Sequence, residues 1–242
     1  IRDIGVTGVQ TCALPIYPEL LNGSNLMKRN SLIAASIIST FLTFITPISA
    51  HADKKASEVK CKPTKVTSYK PKLVSPPTAL LKRGPKQIIL NTNCGDIVIQ
   101  TNYRLTKVTL TALSTIINSG YYSKSFCHRL TVENIFILQC GDPSMTGKGD
   151  PGFSYGDENL PKAMENNYPE GTVAMANSGP GTNGSQFFIT YEDTTLGPNY
   201  TIWGRVTSGL EIVKYIAEGG VVGDRADGRP VRPLLIERIT IN

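Results

Sequence analysis

The sequence predicts a mainly β fold, a closed β-barrel plugged by helices. Three observations carry that reading. From Gln87 onward the apolar residues come in short runs rich in β-branched and aromatic side chains. Gly and Pro punctuate the runs throughout, which excludes a coiled coil. Only two stretches show helical spacing.

The elements follow in order. Gln87 to Leu90 and Asp96 to Gln100 flank Asn91-Thr92-Asn93-Cys94-Gly95 and predict a hairpin. Lys107 to Asn118 places Val108, Leu110, Leu113, Ile116 and Ile117 at helical spacing and stops before Gly120, although its threonines are poor helix formers. Ser125 to Leu130 and Asn134 to Cys140 predict two strands joined by a turn. Gly141 to Leu160 is a long loop rich in Gly, Asp and Pro. Thr172 to Ala176 and Gln186 to Thr190 are buried-type strands around a Gly- and Asn-rich loop. Thr201 to Val206 is a strand, Leu210 to Ala217 a short helix, and Leu234 to Ile241 a closing strand. Residues 87–242 are enough for one domain.

The chain before Gln87 differs in character. Of its 242 residues, 40% are apolar and the net charge is +6, so it is not a disordered chain. One long apolar run excludes a multi-span membrane protein. The first Met is Met27, and Ile1 to Ile16 resembles a translated sequencing adapter, so residues 1–26 are expected to be non-native. Residues 27–52 have the three parts of a signal peptide: Lys28 and Arg29, the apolar run Leu32 to Ile45, and Ala50-His51-Ala52. Cleavage after Ala52 would make the product exported, extracellular or envelope-associated. An uncleaved anchor is the alternative. Residues 53–86 carry nine Lys, one Arg and five Pro against two acids. Such a composition buries too little apolar surface to order itself and is expected to be a flexible stalk. Its cations could attach to an anionic envelope surface. Nucleic acid is not expected, because no aromatic platform is interleaved with the lysines.

Cys61, Cys94, Cys127 and Cys140 remain beyond residue 52, and outside the cytoplasm they can pair. Three full pairings exist and the sequence does not choose among them. Cys127 and Cys140 could oppose each other on neighbouring strands, or stay as free buried thiols. Cys61 to Cys94 would tie the stalk to the first hairpin. There is no C-x-x-C and no phosphate-loop Lys. No metal and no cofactor is expected.

Two blocks carry the chemistry. Phe126-Cys127-His128-Arg129 is followed by Phe136-Ile137-Leu138-Gln139-Cys140-Gly141-Asp142. Later comes Met175-Ala176-Asn177-Ser178-Gly179-Pro180-Gly181-Thr182-Asn183-Gly184-Ser185-Gln186-Phe187-Phe188-Ile189. With Trp203-Gly204-Arg205-Val206, they resemble the signature blocks of the cyclophilin family of peptidyl-prolyl cis-trans isomerases. The similarity runs from about Gln87 to Asn242. The Cys127-His128-Arg129-Leu130-Thr131 form, with a long turn before Phe136, looks most like exported actinobacterial members.

That resemblance implies an eight-stranded closed antiparallel barrel capped by two helices, with a substrate groove on its outer face. Arg129 matches the catalytic arginine. Phe136, Ile137, Phe188 and Leu196 match the apolar proline pocket, and Tyr200 its aromatic wall where many members have His. Gln139 and Gln186 match polar groups beside the substrate, with Gln139 equally able to orient Arg129 from behind. Ala176 and Asn177 match the strand edge that binds the peptide. Thr195 replaces the Trp of cyclosporin-sensitive members, so weak cyclosporin binding is implied. Alternation assigns Phe187 to the core and Phe188 to the pocket, and turns His128 away from Arg129. The expected partners are proline-containing polypeptides, with the protein a monomer. The implied reaction is rotation about X–Pro bonds during folding of exported proteins. A catalytically weak module that only binds proline-containing peptides is the alternative.

Overall fold

The computed structural model of the chain describes residues 59–242, which belong to one compact unit. The expected non-native segment, the signal peptide and residues 53–58 of the stalk lie outside the described residues.

β1 (Gln87–Thr92) and β2 (Gly95–Thr101) form the first hairpin, with Thr92 opposite Gly95 across a two-residue Asn93-Cys94 turn. β1 alternates half-buried and buried residues, as a strand with one face on the core should. α1 (Lys107–Asn118) buries Leu110, Leu113 and Ile116 on one face. It has no acid in its first turn and no side-chain cap from Thr106. Instead the Glu158 carboxylate accepts the Val108 and Thr109 N–H groups at 3.1 and 2.8 Å, satisfying two of the donors that a helix start leaves orphaned.

The predicted strand from Ser125 to Leu130 is broken. β3 (Ser125–Phe126) pairs with β10 (Leu235–Ile241), whereas β4 (Arg129–Glu133) pairs with β5 (Ile135–Cys140). The switch falls at Cys127-His128. Cys127 N–H donates to Leu234 O, and His128 N–H to Gln139 O. β6 (Thr172–Met175), β7 (Phe187–Thr190), β8 (Ile202–Ser208), α2 (Leu210–Glu218) and β9 (Asp227–Gly228) complete the unit.

All pairings are antiparallel, in the order β3-β10-β1-β2-β8-β6-β7-β5-β4-β9. This corrects the expected closed eight-stranded barrel. The sheet is a curled, open half-barrel of ten strands, and among the described residues no ladder joins β3 to β9. The reason is local. Both end strands are two residues long, and the break at Cys127-His128 divides between two sheet positions a run expected to be one strand.

β6 and β7 are buried on both faces, which is why they read as continuous apolar runs. Phe187, Ile189, Val173 and Met175 join the main core with Trp203 and the apolar faces of α1 and α2. Phe188 and Ala174 point the other way, into a second, smaller cluster.

Residues 59–86, read above as a stalk, lie against this body. Cys61 is bonded to Cys94, and Cys127 to Cys140. Lys62 N–H donates to Asn93 O at 2.8 Å, Tyr69 N–H to Pro143 O at 3.1 Å, and Val74 N–H to Pro151 O at 2.7 Å. The Tyr69 hydroxyl reaches Ser123 O at 2.6 Å. Val59, Cys61 and Val74 pack on the main core, while every Lys and Arg of the segment stays exposed. The segment builds no core of its own. Its spaced apolar residues use one that already exists, so the flexible spacer expected from composition is here a strap.

Candidate active site

The β4–β5 hairpin builds the first half of the site. Its tip is Asn134, which takes the left-handed conformation (φ 59°) that Asn tolerates well. The register sets Arg129 opposite Gln139, Gln139 opposite Phe188, and Phe188 opposite Ala174. One row therefore crosses four strands, β4, β5, β7 and β6, with all four side chains on one face. Two strand spacings place Arg129 and Phe188 about 10 Å apart.

Arg129 is mostly buried and is held from two sides. Its Nη1 donates to Gln139 Oε1 at 3.1 Å. Its Nε and Nη2 donate to Asp227 Oδ1 and Oδ2 at 2.8 and 2.7 Å, a two-pronged ion pair. A guanidinium has five N–H bonds, so one on Nη1 and one on Nη2 stay outside these three contacts. Asp227 is a site residue that sequence reading missed. It lies 98 positions from Arg129, within an Asp-Gly pair that reads as a turn, and nothing local signals the contact.

Gln139 is fully buried. Its Oε1 faces Arg129 and its Nε2 donates to Gln186 Oε1 at 2.9 Å. Of its two expected roles, this geometry matches orientation of Arg129. Gln186, also buried, donates Nε2 to Gly147 O and Gly149 O at 3.1 and 2.9 Å. Its amide is thus committed to holding the loop after β5 rather than free beside a substrate. That loop winds around Asp142, whose carboxylate accepts the N–H groups of Ser144, Thr146 and Gly149. Burial pushes the Asp142 carboxyl up, but hydrogen bonds from the Ser144 hydroxyl and from the Gly149 and Ser144 N–H groups, with His128 nearby, outweigh it and the net shift is downward. Gly141 starts the loop at φ 94°, and a Cβ there would sit 2.3 Å from Ser185 O, so only glycine fits.

His128 is buried and faces away from Arg129's row. Neither ring nitrogen makes a hydrogen bond of good geometry. Burial pushes its pKa below the usual value, and the Asp142 carboxylate partly opposes this.

The apolar half of the site is the second cluster. Ile137, Phe188, Leu196 and Tyr200, all expected there, are brought together with Ala174 and Ala176. Phe188 and Tyr200 meet edge to face, with centroids 5.7 Å apart at 83°. Tyr168, which the sequence did not single out, is fully buried behind them and supports the Tyr200 backbone: its hydroxyl accepts Tyr200 N–H at 3.0 Å. Asn177 leads out of β6. Its Nδ2 donates to Asn199 O at 2.9 Å and its Oδ1 accepts Gly179 N–H at 3.2 Å, fixing the loop beside the cluster. Ala176 N–H donates to Gln186 O.

Phe136 is not among them, and this corrects its expected place in the pocket. It sits opposite Val132 on the other face of the hairpin, against Tyr191 at 5.9 Å, in a groove beside α2. Consecutive strand residues point to opposite faces, so Phe136 and Ile137 cannot both line one pocket. The residue that joins Ile137 on the pocket face is Ile135. Among the described residues, no group of three or more His, Cys, Asp and Glu side chains is placed to hold a metal.

These observations define an open, curled antiparallel half-barrel with a clamped arginine in one row with an aromatic cluster, on the face opposite the main core. The family model for cyclophilin type peptidyl-prolyl cis-trans isomerase/CLD matches residues 87–241, and the chain belongs to that family. A probable peptidyl-prolyl cis-trans isomerase B of Mycobacterium leprae is 38% identical over 162 residues, 62% of this chain and 55% of that protein. The like-named protein of Mycobacterium tuberculosis is 36% identical over 180 residues, 69% of this chain and 58% of that protein. The chain thus spans little more than half the length of these relatives. A Cryptosporidium parvum cyclophilin type isomerase structure superposes with a TM-score of 0.57 at 28% identity, over 65% of this chain and 98% of that one.

Proposed function

We propose that this chain is an active peptidyl-prolyl cis-trans isomerase that speeds X–Pro rotation in exported polypeptides. The observation that carries this reading is Arg129, fixed by Gln139 and Asp227 in one row with the Phe188 cluster. The prolyl ring would rest on Ile137, Phe188, Leu196 and Tyr200, with Ile135 where Phe136 was expected.

An X–Pro bond turns over a barrier of roughly 18–20 kcal/mol and takes tens to hundreds of seconds unaided. No bond is made or broken, so neither nucleophile nor metal is needed. Twisting the amide removes its resonance and localises a lone pair on the prolyl nitrogen. The remaining Arg129 N–H groups can donate to that nitrogen, or hold the carbonyl oxygen, more strongly in the twisted state than in the planar one. Only such differential binding raises the rate. A charge-assisted hydrogen bond is worth about 1.5–3 kcal/mol, or roughly ten- to a hundredfold. Orientation in the apolar cluster supplies the rest.

The test is proline-isomer exchange on a short X–Pro peptide, comparing the chain with its Arg129→Ala variant. Fast exchange that falls about ten- to a hundredfold in the folded variant is expected. Peptide binding without acceleration in the unaltered chain would overturn the enzyme and leave the binding module.

We also propose that the protein is exported and rests on an anionic envelope surface. The three-part segment 27–52, the two disulfides and the exposed strap cations support this reading. Envelope fractions should yield a chain starting at Asp53 that high salt releases. A start at Met27 argues against cleavage, and retention in high salt argues against electrostatic attachment.

A further inference from the structure

Asp227 is the acidic residue that grips the family's catalytic arginine, and it arrives from far along the chain. β9 holds only Asp227 and Gly228, set against β4 with Thr131 opposite Asp227 and Leu130 opposite Gly228. Val132 N–H donates to Ala226 O at 2.9 Å just before it. Just after it, Val222 N–H donates to Arg229 O at 2.9 Å and Val221 bridges Pro230. The loop after α2 is therefore laced to β4 and to itself on either side of Asp227.

The ion pair is poorly placed to be a stability device. The Asp227 side chain is 38% exposed against 13% for Arg129, so water screens the carboxylate end of the pair and weakens its contribution to folding. It is well placed to orient. Two parallel N–H···O bonds fix the plane of a guanidinium, which one bond cannot do. Gln139 takes one further N–H from the other side. What remains is one N–H on Nη1 and one on Nη2, both with a set direction.

We propose that Asp227 is a positioning residue for X–Pro isomerisation, fixing the Arg129 guanidinium so that its two free N–H groups meet the twisted amide. The proposal rests on the isomerase reading above. Without Asp227 the arginine regains rotamers, and the fraction aligned at any moment falls. The substrate's ground-state contacts lie mainly in the apolar cluster, so the loss belongs in kcat rather than KM.

The test compares the unaltered chain with Asp227→Asn, Asp227→Glu, Arg129→Ala and the Arg129→Ala/Asp227→Asn double variant. Exchange kinetics give kcat and KM, and thermal unfolding checks the fold. Asp227→Asn keeps the size but cannot accept both N–H bonds. It is expected to lose about tenfold in kcat with KM within twofold, and Asp227→Glu to recover part of that. In the Arg129→Ala background Asp227→Asn should cost nothing further. A kcat within twofold in Asp227→Asn, or an equal loss in both backgrounds, overturns the proposal. The Arg129 Nε–H NMR signal tests the clamp independently of activity. It should be sharp in the unaltered chain and lost to solvent exchange in Asp227→Asn. If it is unchanged, the clamp is refuted. If the unaltered chain accelerates nothing, it is the isomerase reading that fails.

Discussion

At the scale of single residues, the site works by commitment of polar groups. Gln139 and Gln186 are buried and bonded to each other, to Arg129 and to the loop carbonyls of Gly147 and Gly149. The family resemblance matched both to polar groups beside the substrate, with Gln139 equally able to orient Arg129. Only the register shows that their amides are already used. Phe136 makes the same point for an apolar side chain. Leu196→Ala is expected to raise KM for an X–Pro peptide about tenfold, because Leu196 lies in the cluster with Phe188. Phe136→Ala should leave KM unchanged and lower the unfolding free energy by about 1–3 kcal/mol, since the half-buried ring packs on Tyr191. Measuring both constants with thermal unfolding separates the two faces. A KM rise in Phe136→Ala would return it to the pocket.

At the scale of elements, the hairpin β4–β5 and the short β9 matter most. The chain before β4 changes partner from β10 to β5, and the Cys127–Cys140 disulfide staples that place. The sequence marked both strands but joined β3 to β4, because an uninterrupted β-type run gives no sign of a change of sheet partner. β9 was not legible at all. Two residues carry no period, and Asp-Gly is an ordinary turn pair. Its position depends on α2 ending where it does and on the ladder to β4. α1 shows a related limit. Its span was readable from spacing, whereas the carboxylate that caps it comes from Glu158, about fifty residues away.

At the scale of the whole molecule, His128 couples the site to global stability. It is the sole histidine among the described residues and is buried beside Asp142 and Gln186. Its folded pKa lies below the unfolded value of about 6.5, with burial the leading cause. The unfolded chain therefore binds its proton more readily. The stability linked to neutral His128 is complete above about pH 6.5 and is lost as pH falls through the lower folded value. Denaturant unfolding between pH 7.5 and 5 should show this fall, with a slope no steeper than about 1.4 kcal/mol per pH unit. The slope should flatten in His128→Asn, and an unchanged slope there would place the proton uptake elsewhere. The strap belongs to this scale too. Its Lys- and Pro-rich composition predicts disorder for an isolated segment, and it is ordered here because Cys94, Asn93, Pro143 and Pro151 meet it.

What the sequence determined by itself is whatever local spacing and side-chain type encode. That includes the mainly β character, the hairpins and both helices, while the place of Arg129 near an aromatic pocket was implied by the resemblance of its two blocks to the cyclophilin family. Tertiary structure alone decided which face of the hairpin Phe136 takes, that the sheet stays open, that the strap docks, and that Asp227 holds Arg129. The physical reason is range. Periodicity and turn chemistry act over a few residues, whereas register pairs Ile88 with Ile241 and the ion pair joins Arg129 to Asp227, 98 positions away, and only the folded chain brings those groups within bonding distance.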